Sequence, residues 1–379
     1  MKKVMYGFSG DPITKGHIDV IERALHVFGS LIVGIGMNPA KKYFLSLEER
    51  RLLAEESLQH LENITVVSFR GLLVDYSYEN SIDTIIRGIR NSEDLNYELM
   101  LFQIGSSQKL NIDTIFFPAS QDLIHVSSGA VKALQLEQGL IHEYVPLCVK
   151  QKLEAKLSAQ HLISITGEIG SGKSFVSQHL KKIGISKGID VFVVDIDKIG
   201  HQILGELTES LYQNLRKEIA ATFGDHLLQA DGFINRQALG KIIFSDQEKL
   251  KAFNSIIYKP LLVRLRRDIY GKRGLIILDS ALIAESEMSY LSNNNIVLIK
   301  VQEEIQKQRL IDRGYSREQI ENRLVSQYNA TLKETMILKN IEKDNFGKIW
   351  SIDNSQENLE IDYENLFDSI FESLEIKPK

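Results

Sequence analysis

The sequence predicts an α/β protein of two domains, each built on a parallel β-sheet. Short runs rich in β-branched residues alternate with longer amphipathic segments, which is the pattern of repeated βαβ units. The alternation begins again near residue 161, after a charged stretch at 149–160 that contains no Gly or Pro. A length of 379 residues also fits two or three domains of roughly 150 residues each. We therefore predict domains at 1–158 and 159–379.

The first domain is predicted to hold five strands, with helices between and after them. The strand candidates are residues 3–8, 31–37, 64–69, 84–87 and 114–117. The helix candidates are residues 17–28, 47–60, 72–79, 93–108 and 128–138. Ser46, followed by Glu49 three residues later, predicts a capping box at the start of the second helix. Residues 149–160 are predicted to form the last helix of this domain and a short linker.

The second domain is predicted to repeat the strand–helix alternation with a long helical insertion. Its strand candidates are residues 161–166, 190–194, 274–279, 296–301 and 348–352. The segment 198–272 has no clear strand pattern and is predicted to be helical. The acidic, amphipathic tail beyond residue 354 is predicted to form a closing helix.

Composition and charge narrow the class of protein. The formal net charge of −5 argues against a general nucleic-acid binder, because such proteins usually carry a basic surplus. No stretch approaches the roughly 18 apolar residues needed to span a bilayer, and the polar segment 7–11 is unlike a signal-peptide core. The single cysteine, Cys148, has apolar neighbours, so we expect a packed thiol. These observations predict a soluble cytoplasmic protein without nucleic-acid or membrane partners.

Residues 167–174, GEIGSGKS, fit the phosphate-binding pattern G-x-x-x-x-G-K-[ST]. Backbone N–H groups of such a turn wrap phosphate oxygens because glycine keeps side chains away, and the following helix points its positive N-terminus at them. Lys173 would contact the β- and γ-phosphates, and Ser174 would bind Mg²⁺. The ATP-binding candidates here are Gly167, Glu168, Ile169, Gly170, Ser171, Gly172, Lys173 and Ser174.

Two carboxylates, Asp195 and Asp197, follow the next predicted strand. A carboxylate at the C-terminal end of a strand faces the crevice of an open α/β sheet, where it can accept a proton from a substrate hydroxyl or hold Mg²⁺ through water. We favour this role for Asp195. For Asp197 a helix N-cap is an equally good interpretation.

An arginine-rich stretch forms a third element of this domain. Arg309 and Arg313 are four residues apart and share a helix face, and Gly314 and Arg317 follow. Such a run is usually a solvated charged face. In phosphoryl-transfer enzymes, however, a helical lid brings arginines onto the transferred group, so Arg309 and Arg313 are further ATP-binding candidates.

Residues 161 to about 360 resemble dephospho-coenzyme A kinase, a P-loop domain with a helical lid. The shared features are the phosphate loop, the Asp195-x-Asp197 pair, Leu278-Asp279 with Leu282, Ile283 and Glu285, the lid arginines, Arg323 with Gln327, and Ile352-Asp353-Asn354. The resemblance implies that Asp195 is the base that activates the ribose 3′-hydroxyl of dephospho-coenzyme A. The chain departs from the family at Glu168, usually Gly, at 258–260, where His-Pro is usual, and at 279–281, where Asp-x-Pro is usual.

The first domain places a histidine at a helix start, in the segment Thr14-x-Gly16-His17. An imidazolium and backbone N–H groups there could stabilise charge at an α-phosphate, although a capping histidine is the more common interpretation of this motif alone. Further cations and hydroxyls follow other predicted strands or begin a helix, at 41–42, 86–90 and 126–132. Because these ends converge on one crevice, they indicate a polyphosphate ligand.

This domain resembles bacterial phosphopantetheine adenylyltransferase, which has a Rossmann-like nucleotidyltransferase fold with helices on both faces of a parallel sheet. The matching blocks are 11–17, 41–42, 47–50, 86–90, 97–98 and 127–128. The resemblance implies that the 4′-phosphopantetheine phosphate attacks the α-phosphorus of ATP and that pyrophosphate leaves. It implies phosphopantetheine ligands at Ser9, Lys41, Leu73 and Arg87. It implies ATP ligands at Ser9, Gly10, His17, Gly88, Ile89, Arg90, Glu98, Leu123, Ser127, Ser128 and Gly129, with His17 as the transition-state stabiliser.

The segment Phe8-Ser9-Gly10 and residues Leu123 and Gly129 depart from the family, which has Gly-Thr-Phe, Trp and Ser at these positions. They motivate one alternative, an active kinase joined to a binding or assembly module. A second alternative is an aminoacyl-transfer enzyme or a nucleic-acid-linked nucleotidyltransferase that shares the His-x-Gly-His fold. The sequence argues against it, because it lacks the first histidine of that motif and a basic arm. The leading hypothesis is a bifunctional enzyme that adenylylates phosphopantetheine and phosphorylates the product. Its co-substrate would be ATP and its cofactor Mg²⁺, and analogy suggests a homohexamer.

Overall fold

A computed structural model describes residues 3–243, 246–317, 320–321, 324, 328–355 and 360–377. The chain divides into two compact units, Met1–Leu153 and Glu154–Lys379. Two residues of the predicted kinase motif, Arg323 and Gln327, lie outside the described residues.

The first unit is a parallel five-stranded sheet in the order β3-β2-β1-β4-β5. The strands are β1 Val4–Phe8, β2 Leu31–Ile35, β3 Ile64–Ser68, β4 Thr84–Ile89 and β5 Asp113–Pro118. The helices are α1 Lys15–Phe28, α2 Leu47–Leu58, α3 Leu73–Glu79, α4 Ser92–Ser107, α5 Ser128–Leu136 and α6 Leu147–Leu153. The predicted α/β class is confirmed. Since β1 is central and the order reverses beside it, the loops after β1 and β4 meet at a topological switch point.

Local sequence accounts for the helix starts of this unit. Ser46 Oγ accepts the Glu49 N–H at 3.2 Å and the Glu49 carboxylate accepts the Ser46 N–H at 2.9 Å, so the predicted capping box is confirmed. The C-cap of α1 is Gly29, whose φ of 76° is left-handed and favours glycine.

Cys148 is buried with its Sγ 3.4 Å from Ser57 Oγ. Burial raises the pKa of this thiol to about 12, so it is a packed, protonated thiol as predicted.

The second unit is also a parallel five-stranded sheet, in the order β10-β9-β6-β8-β7. Its strands are β6 Gln160–Gly167, β7 Val191–Asp195, β8 Gly274–Asp279, β9 Asn295–Lys300 and β10 Lys348–Asp353. Its helices are α7 Lys173–Ser186, α8 Ile196–Gly205, α9 Ser210–Phe223, α10 Arg236–Ile243, α11 Gln247–Ile269, α12 Glu303–Asp312, α13 Ala330–Asp344 and α14 Glu360–Ser373. Among its described residues, the segment 198–272 consists of helices α8 to α11 and the turns between them, without a named strand, as predicted; it contains one isolated bridge between Leu228 and Ile234.

The core of the second unit forms where the sheet meets α7 and α14. Ile163, Ile277 and Ile299 are fully buried, which fits a parallel sheet covered on both faces. Phe367 of α14 packs into the same cluster, so the predicted closing helix completes this core. In the described part of the chain, no helix has the length and apolar character needed to cross a bilayer.

Candidate active sites

In the first unit, His17 lies in the first turn of α1. Its Nδ1 accepts the Thr14 backbone N–H at 3.0 Å, so the proton of the neutral ring is on Nε2. The ring stacks on Phe8, with 4.5 Å between centroids and 19° between planes. Burial, followed by repulsion from Arg90 and Lys41, lowers the pKa of His17 to about 3. The imidazolium expected from the sequence is therefore wrong: His17 is a neutral capping residue that can donate a hydrogen bond from Nε2.

The two arginines at the end of β4 are oriented by carboxylates of α4. Arg87 donates from Nε and Nη2 to Glu98, at 2.5 and 2.7 Å, and from Nη1 to the Gly7 carbonyl at 2.5 Å. Arg90 donates from Nε and Nη2 to Asp94, at 2.7 and 3.1 Å. The predicted phosphopantetheine ligand Arg87 and the predicted ATP ligand Glu98 thus share one ion pair.

The loop after β5 approaches the start of α1. Ser128 Oγ donates to the Pro12 carbonyl at 2.8 Å, while Ser127 Oγ accepts the Ala130 N–H at 3.1 Å and caps α5. A Cβ placed on Gly16 would lie 3.9 Å from the Leu123 carbonyl oxygen. A Cβ placed on Gly129 would meet no atom of the described residues within 4 Å, so this part of the turn is open to them. The predicted ATP ligands of this loop therefore lie beside the histidine turn.

The predicted phosphopantetheine ligands lie in β4 or in the segments that follow β1, β2 and β3. Ser9 Oγ is 3.4 Å from the Tyr43 hydroxyl, in the segment that carries the exposed Lys41. Leu73, at the start of α3, packs against β1, since a Cβ on Gly7 would lie 2.7 Å from its Cδ2. The structure thus brings these residues to one edge of the sheet.

Two features of this edge were not assigned a role from the sequence. The first is Arg50 of α2, which is 1% exposed and donates to the carbonyls of Ser9 and Gly36 at 2.5 and 2.9 Å. The motif Leu-Glu-Glu-Arg contained it, but only the fold shows that it joins the loops after β1 and β2. The second is the Phe8 ring, which would lie 3.1 Å from a Cβ on Gly10. An aromatic ring therefore borders Gly10 although residue 10 carries none.

In the second unit, the glycine-rich loop leaves β6 and enters α7. Gly170 and Gly172 have φ of 76° and 92°, in the left-handed region. A Cβ on Gly172 would lie 2.3 Å from Asn354 Nδ2, which itself donates to the Ser171 carbonyl at 2.8 Å. Lys173 Nζ lies 3.3 Å from the carbonyl oxygens of both Gly167 and Glu168. The loop is thus held by its own lysine and by Asn354 after β10.

Burial also makes the charged form of this lysine less favourable. It lowers the pKa of Lys173, while Asp197 and Asp279 act in the opposite direction.

The carboxylates of Asp197 and Asp279 interact with Lys173, and that of Asp195 lies near Asp279. Asp195 and Asp279 occupy paired positions on β7 and β8. Asp279 is buried, accepts from Ser177 Oγ at 3.3 Å and is hydrogen-bonded to Ser174. Burial raises the pKa of Asp279 to about 6, against the attraction of Lys173. Asp279 was the residue without an assigned role; its position at the end of an apolar strand pattern could have indicated it.

The N-cap of α8 is Asp195, and the alternative of a cap at Asp197 is wrong. Asp195 Oδ1 accepts the Lys198 N–H at 2.7 Å, and its side chain is exposed at the crevice end of β7. Asp197 instead accepts the Ala281 N–H at 2.9 Å and lies 3.3 Å from Ser280 Oγ. Asp195 thus caps α8 through Oδ1 while its side chain stays exposed at the crevice.

α12 approaches the phosphate loop from the side of β9. Arg309 donates to the carbonyls of Gly170 and Ser171 at 3.4 and 3.3 Å, and to that of Asn354 at 2.7 Å. Gln306 donates to the Ile169 carbonyl at 2.7 Å. Arg313 lies just beyond the end of α12 and makes no such contact with the loop among the described residues. Of the two predicted lid arginines, the structure brings only Arg309 to the loop.

Two family models match the chain, one in each unit. Residues 161–346 match the model described as dephospho-CoA kinase. Residues 6–134 match the model described as cytidylyltransferase-like.

Several curated relatives match about two fifths of this chain over nearly their own whole length. A phosphopantetheine adenylyltransferase of Actinobacillus pleuropneumoniae serotype 3 is 39% identical over 153 residues, covering 40% of this chain and 97% of the relative. The enzyme of the same name from Syntrophomonas wolfei is 40% identical over 157 residues, covering 41% and 98%. That from Haemophilus influenzae strain PittEE is 37% identical over 156 residues, covering 41% and 100%.

Proposed function

We propose two consecutive activities for this chain, because its first unit belongs to the phosphopantetheine adenylyltransferase family and its second unit is a dephospho-CoA kinase domain. The first activity transfers AMP from ATP to 4′-phosphopantetheine and gives dephospho-CoA and pyrophosphate. The second transfers the γ-phosphoryl group of ATP to the ribose 3′-hydroxyl and gives CoA and ADP. We assign them to residues 1–158 and 159–379. The observation that carries the proposal is the collection of cations and amide groups at the carboxyl edge of each parallel sheet.

In the first site, a phosphate oxygen of phosphopantetheine attacks the α-phosphorus, a new P–O bond forms, and the α–β bond breaks as pyrophosphate leaves. Lys41 and Arg87 would hold the attacking phosphate, and Arg90 with the Ser127–Gly129 turn would hold ATP. Neutral His17 would donate a hydrogen bond from Nε2 to the pentacovalent group. This bond would stabilise the developing negative charge, and the proton would stay on His17. Positioning and charge suffice, so no covalent enzyme intermediate is required.

In the second site, the loop amides and Lys173 would hold the ATP phosphates while the ribose 3′-oxygen attacks the γ-phosphorus. Asp195 would accept the hydroxyl proton through the oxygen that the α8 cap leaves free, and ADP leaves as the γ-phosphorus bond to it breaks. Arg309, which donates to the loop carbonyls, would contact the nucleotide bound there.

The residues around Ser174 fit a magnesium ion that is bound together with nucleotide. Mg²⁺ prefers oxygen ligands and usually keeps several waters beside one or two protein groups and substrate phosphates. Within the described ranges, no group of three His, Cys, Asp or Glu side chains is arranged around a metal position. The Ser174 hydroxyl, hydrogen-bonded to Asp279, is instead a single protein ligand of this kind, with Asp195 a second candidate through water. The ion would neutralise phosphate charge.

The decisive experiment is product analysis with phosphopantetheine and ATP. The wild-type protein should form CoA, and Lys173→Ala should stop at dephospho-CoA with normal pyrophosphate release. His17→Ala should lose pyrophosphate release by 100-fold or more, on the order of an oxyanion-hole deletion, yet still phosphorylate added dephospho-CoA. Unchanged pyrophosphate release in His17→Ala would instead make the first unit a binding or assembly module.

The remaining partners follow from these reactions. The ligands would be ATP, 4′-phosphopantetheine and dephospho-CoA, without nucleic acid or membrane. We place the reactions in the cytoplasm, where ATP is supplied.

We also propose a homohexamer assembled through the first unit, since α4 contains no buried residue although it carries several large apolar side chains.

A further inference from the structure

We propose that Lys333 is a positioning residue of the kinase reaction, an inference that rests on the proposed function. Lys333 lies in the first turn of α13 and its side chain is 1% exposed. Its Nζ donates to the Glu285 carboxylate and, at 2.6 Å, to the Ala281 carbonyl. It acts through the Ala281 peptide and does not touch the reacting atoms.

The backbone of Ala281 is held at both its N–H and its carbonyl group. Its carbonyl accepts from Lys333 and from Thr166 Oγ1 at 3.3 Å, while its N–H donates to Asp197 at 2.9 Å. Thr166 belongs to β6, directly before the phosphate loop. Asp197 lies two residues after Asp195, the proposed base. The backbone of this one residue therefore connects the strand that carries the loop with the segment that carries the base.

α13 is itself fixed to the phosphate loop. The Ala330 N–H, in the first turn of α13, donates to Glu168 Oε1 at 3.0 Å. Glu168 stands at a position that the phosphate-binding pattern leaves free. Lys333, three residues later in the same helix, therefore relates the position of the loop to that of the Ala281 backbone.

Stability alone is a weak reason for this buried ion pair. Replacement of a buried pair by apolar residues is often neutral, whereas removal of one partner is strongly destabilising. The Glu285 carboxylate is also incompletely satisfied, because its Oε2 is buried without a hydrogen-bond partner in the described structure. The contact that an apolar pair could not replace is the hydrogen bond to Ala281.

The test separates folding from turnover with the full-length protein. Lys333→Met should lower both the melting temperature and the kinase kcat. The double variant Lys333→Met with Glu285→Leu should regain most of the melting temperature, while kcat stays roughly 10- to 100-fold below wild type, the size expected for a misplaced catalytic group. Glu285→Gln leaves the hydrogen bond from Lys333 to the Ala281 carbonyl in place. This variant should therefore retain a kcat close to that of wild type.

Matched controls are available on the same helix and in the same sample. Lys300 and Glu334 form a partly exposed pair at 2.8 Å, so Lys300→Met with Glu334→Leu should leave kcat unchanged. Pyrophosphate release by the first unit should be constant throughout. A double variant at 333 and 285 with wild-type kcat refutes the positioning role alone. A wild-type protein that does not phosphorylate dephospho-CoA refutes the proposed function and this role together.

Discussion

Burial moves three ionisable groups of the candidate sites towards their neutral forms. The pKa is lowered to about 3 for His17, lowered for Lys173 and raised to about 6 for Asp279, each chiefly by desolvation. For His17 the neutral form is useful, since it donates without carrying a charge to be solvated. For Asp279 the shift means that the folded protein carries an energetically unfavourable carboxylate at neutral pH. Perturbed groups of this kind are typical of functional sites.

Asp279→Asn should therefore stabilise the nucleotide-free protein at pH 7. The folded-state pKa is raised from 3.8 to about 6, so the folded state binds more protons than the unfolded state in this window, and stability falls as pH rises through it. Removing the carboxylate should raise the unfolding free energy of the second unit at pH 7 by about 1–3 kcal/mol. The gain should vanish below about pH 4. Thermal unfolding at several pH values measures it.

The same variant should lose kinase activity, because the Ser174 hydroxyl loses its ionised partner. Glu304→Gln on the exposed face of α12 is a control that should change neither property. A lower melting temperature for Asp279→Asn at pH 7 would show that the carboxylate stabilises the unit, against this expectation.

At this scale the sequence predicts residue types better than their charge states. Lys173 and Ser174 could be identified because one local pattern fixes the backbone that presents them. The neutral state of His17 could not, since it depends on Phe8 from another element and on Arg90, which follows β4. The pairing of Arg87 with Glu98 likewise depends on how α4 lies against the sheet.

At the scale of elements, most strands and helices could be predicted to within about two residues because their periodicity is local. The start of α8 shows where this fails. Both carboxylates of Asp195-x-Asp197 are good N-caps, so the sequence alone leaves the cap open. The choice is made by pairing of β7 with β8, which extends to Asp195 opposite Asp279. The helix then begins directly after the strand, and Asp197 turns to the Ala281 peptide.

Since Asp195 caps α8 and is the proposed base, two substitutions should separate its roles. Asp195→Asn keeps a good N-cap and should leave the melting temperature unchanged, while kcat for dephospho-CoA falls by roughly 100- to 10,000-fold. Asp195→Ala should lose the same activity and about 1 kcal/mol of stability as well. Unfolding curves and steady-state kinetics give the two readouts. Near-normal turnover of Asp195→Asn would exclude Asp195 as the base.

At the scale of the whole molecule, the sequence allowed both enzyme classes to be predicted because each depends on compact motifs. The product of the first reaction is the substrate of the second, which gives a chemical reason for one chain to carry both. Assembly with other copies has no comparable motif. It depends on which surfaces remain uncovered after folding, and this becomes visible only in the structure.

α4 provides the best indication of such a surface. None of its 16 residues is buried, and Tyr97, Met100 and Ile104 are 43%, 45% and 48% exposed. A helix on a monomer surface normally turns its apolar stripe to the core, and contiguous exposed apolar side chains mark contact sites. On its inner side α4 supplies Glu98 and Asp94 to the arginines of β4, so contacts on the outer side would also stabilise the first active site.

The homohexamer proposed above has six times the mass of the chain, and Met100→Glu with Ile104→Glu should reduce the native mass, because charges buried at a contact without partners disfavour association. Light scattering after size exclusion measures this. Leu338→Glu, on α13 and 53% exposed, is the matched control and should leave the mass unchanged. Pyrophosphate release should fall in the dissociated variant, since Glu98 loses a fixed helix, whereas dephospho-CoA phosphorylation should persist. A monomeric wild-type protein at micromolar concentration would remove this role of α4 and leave its apolar side chains without an assigned partner.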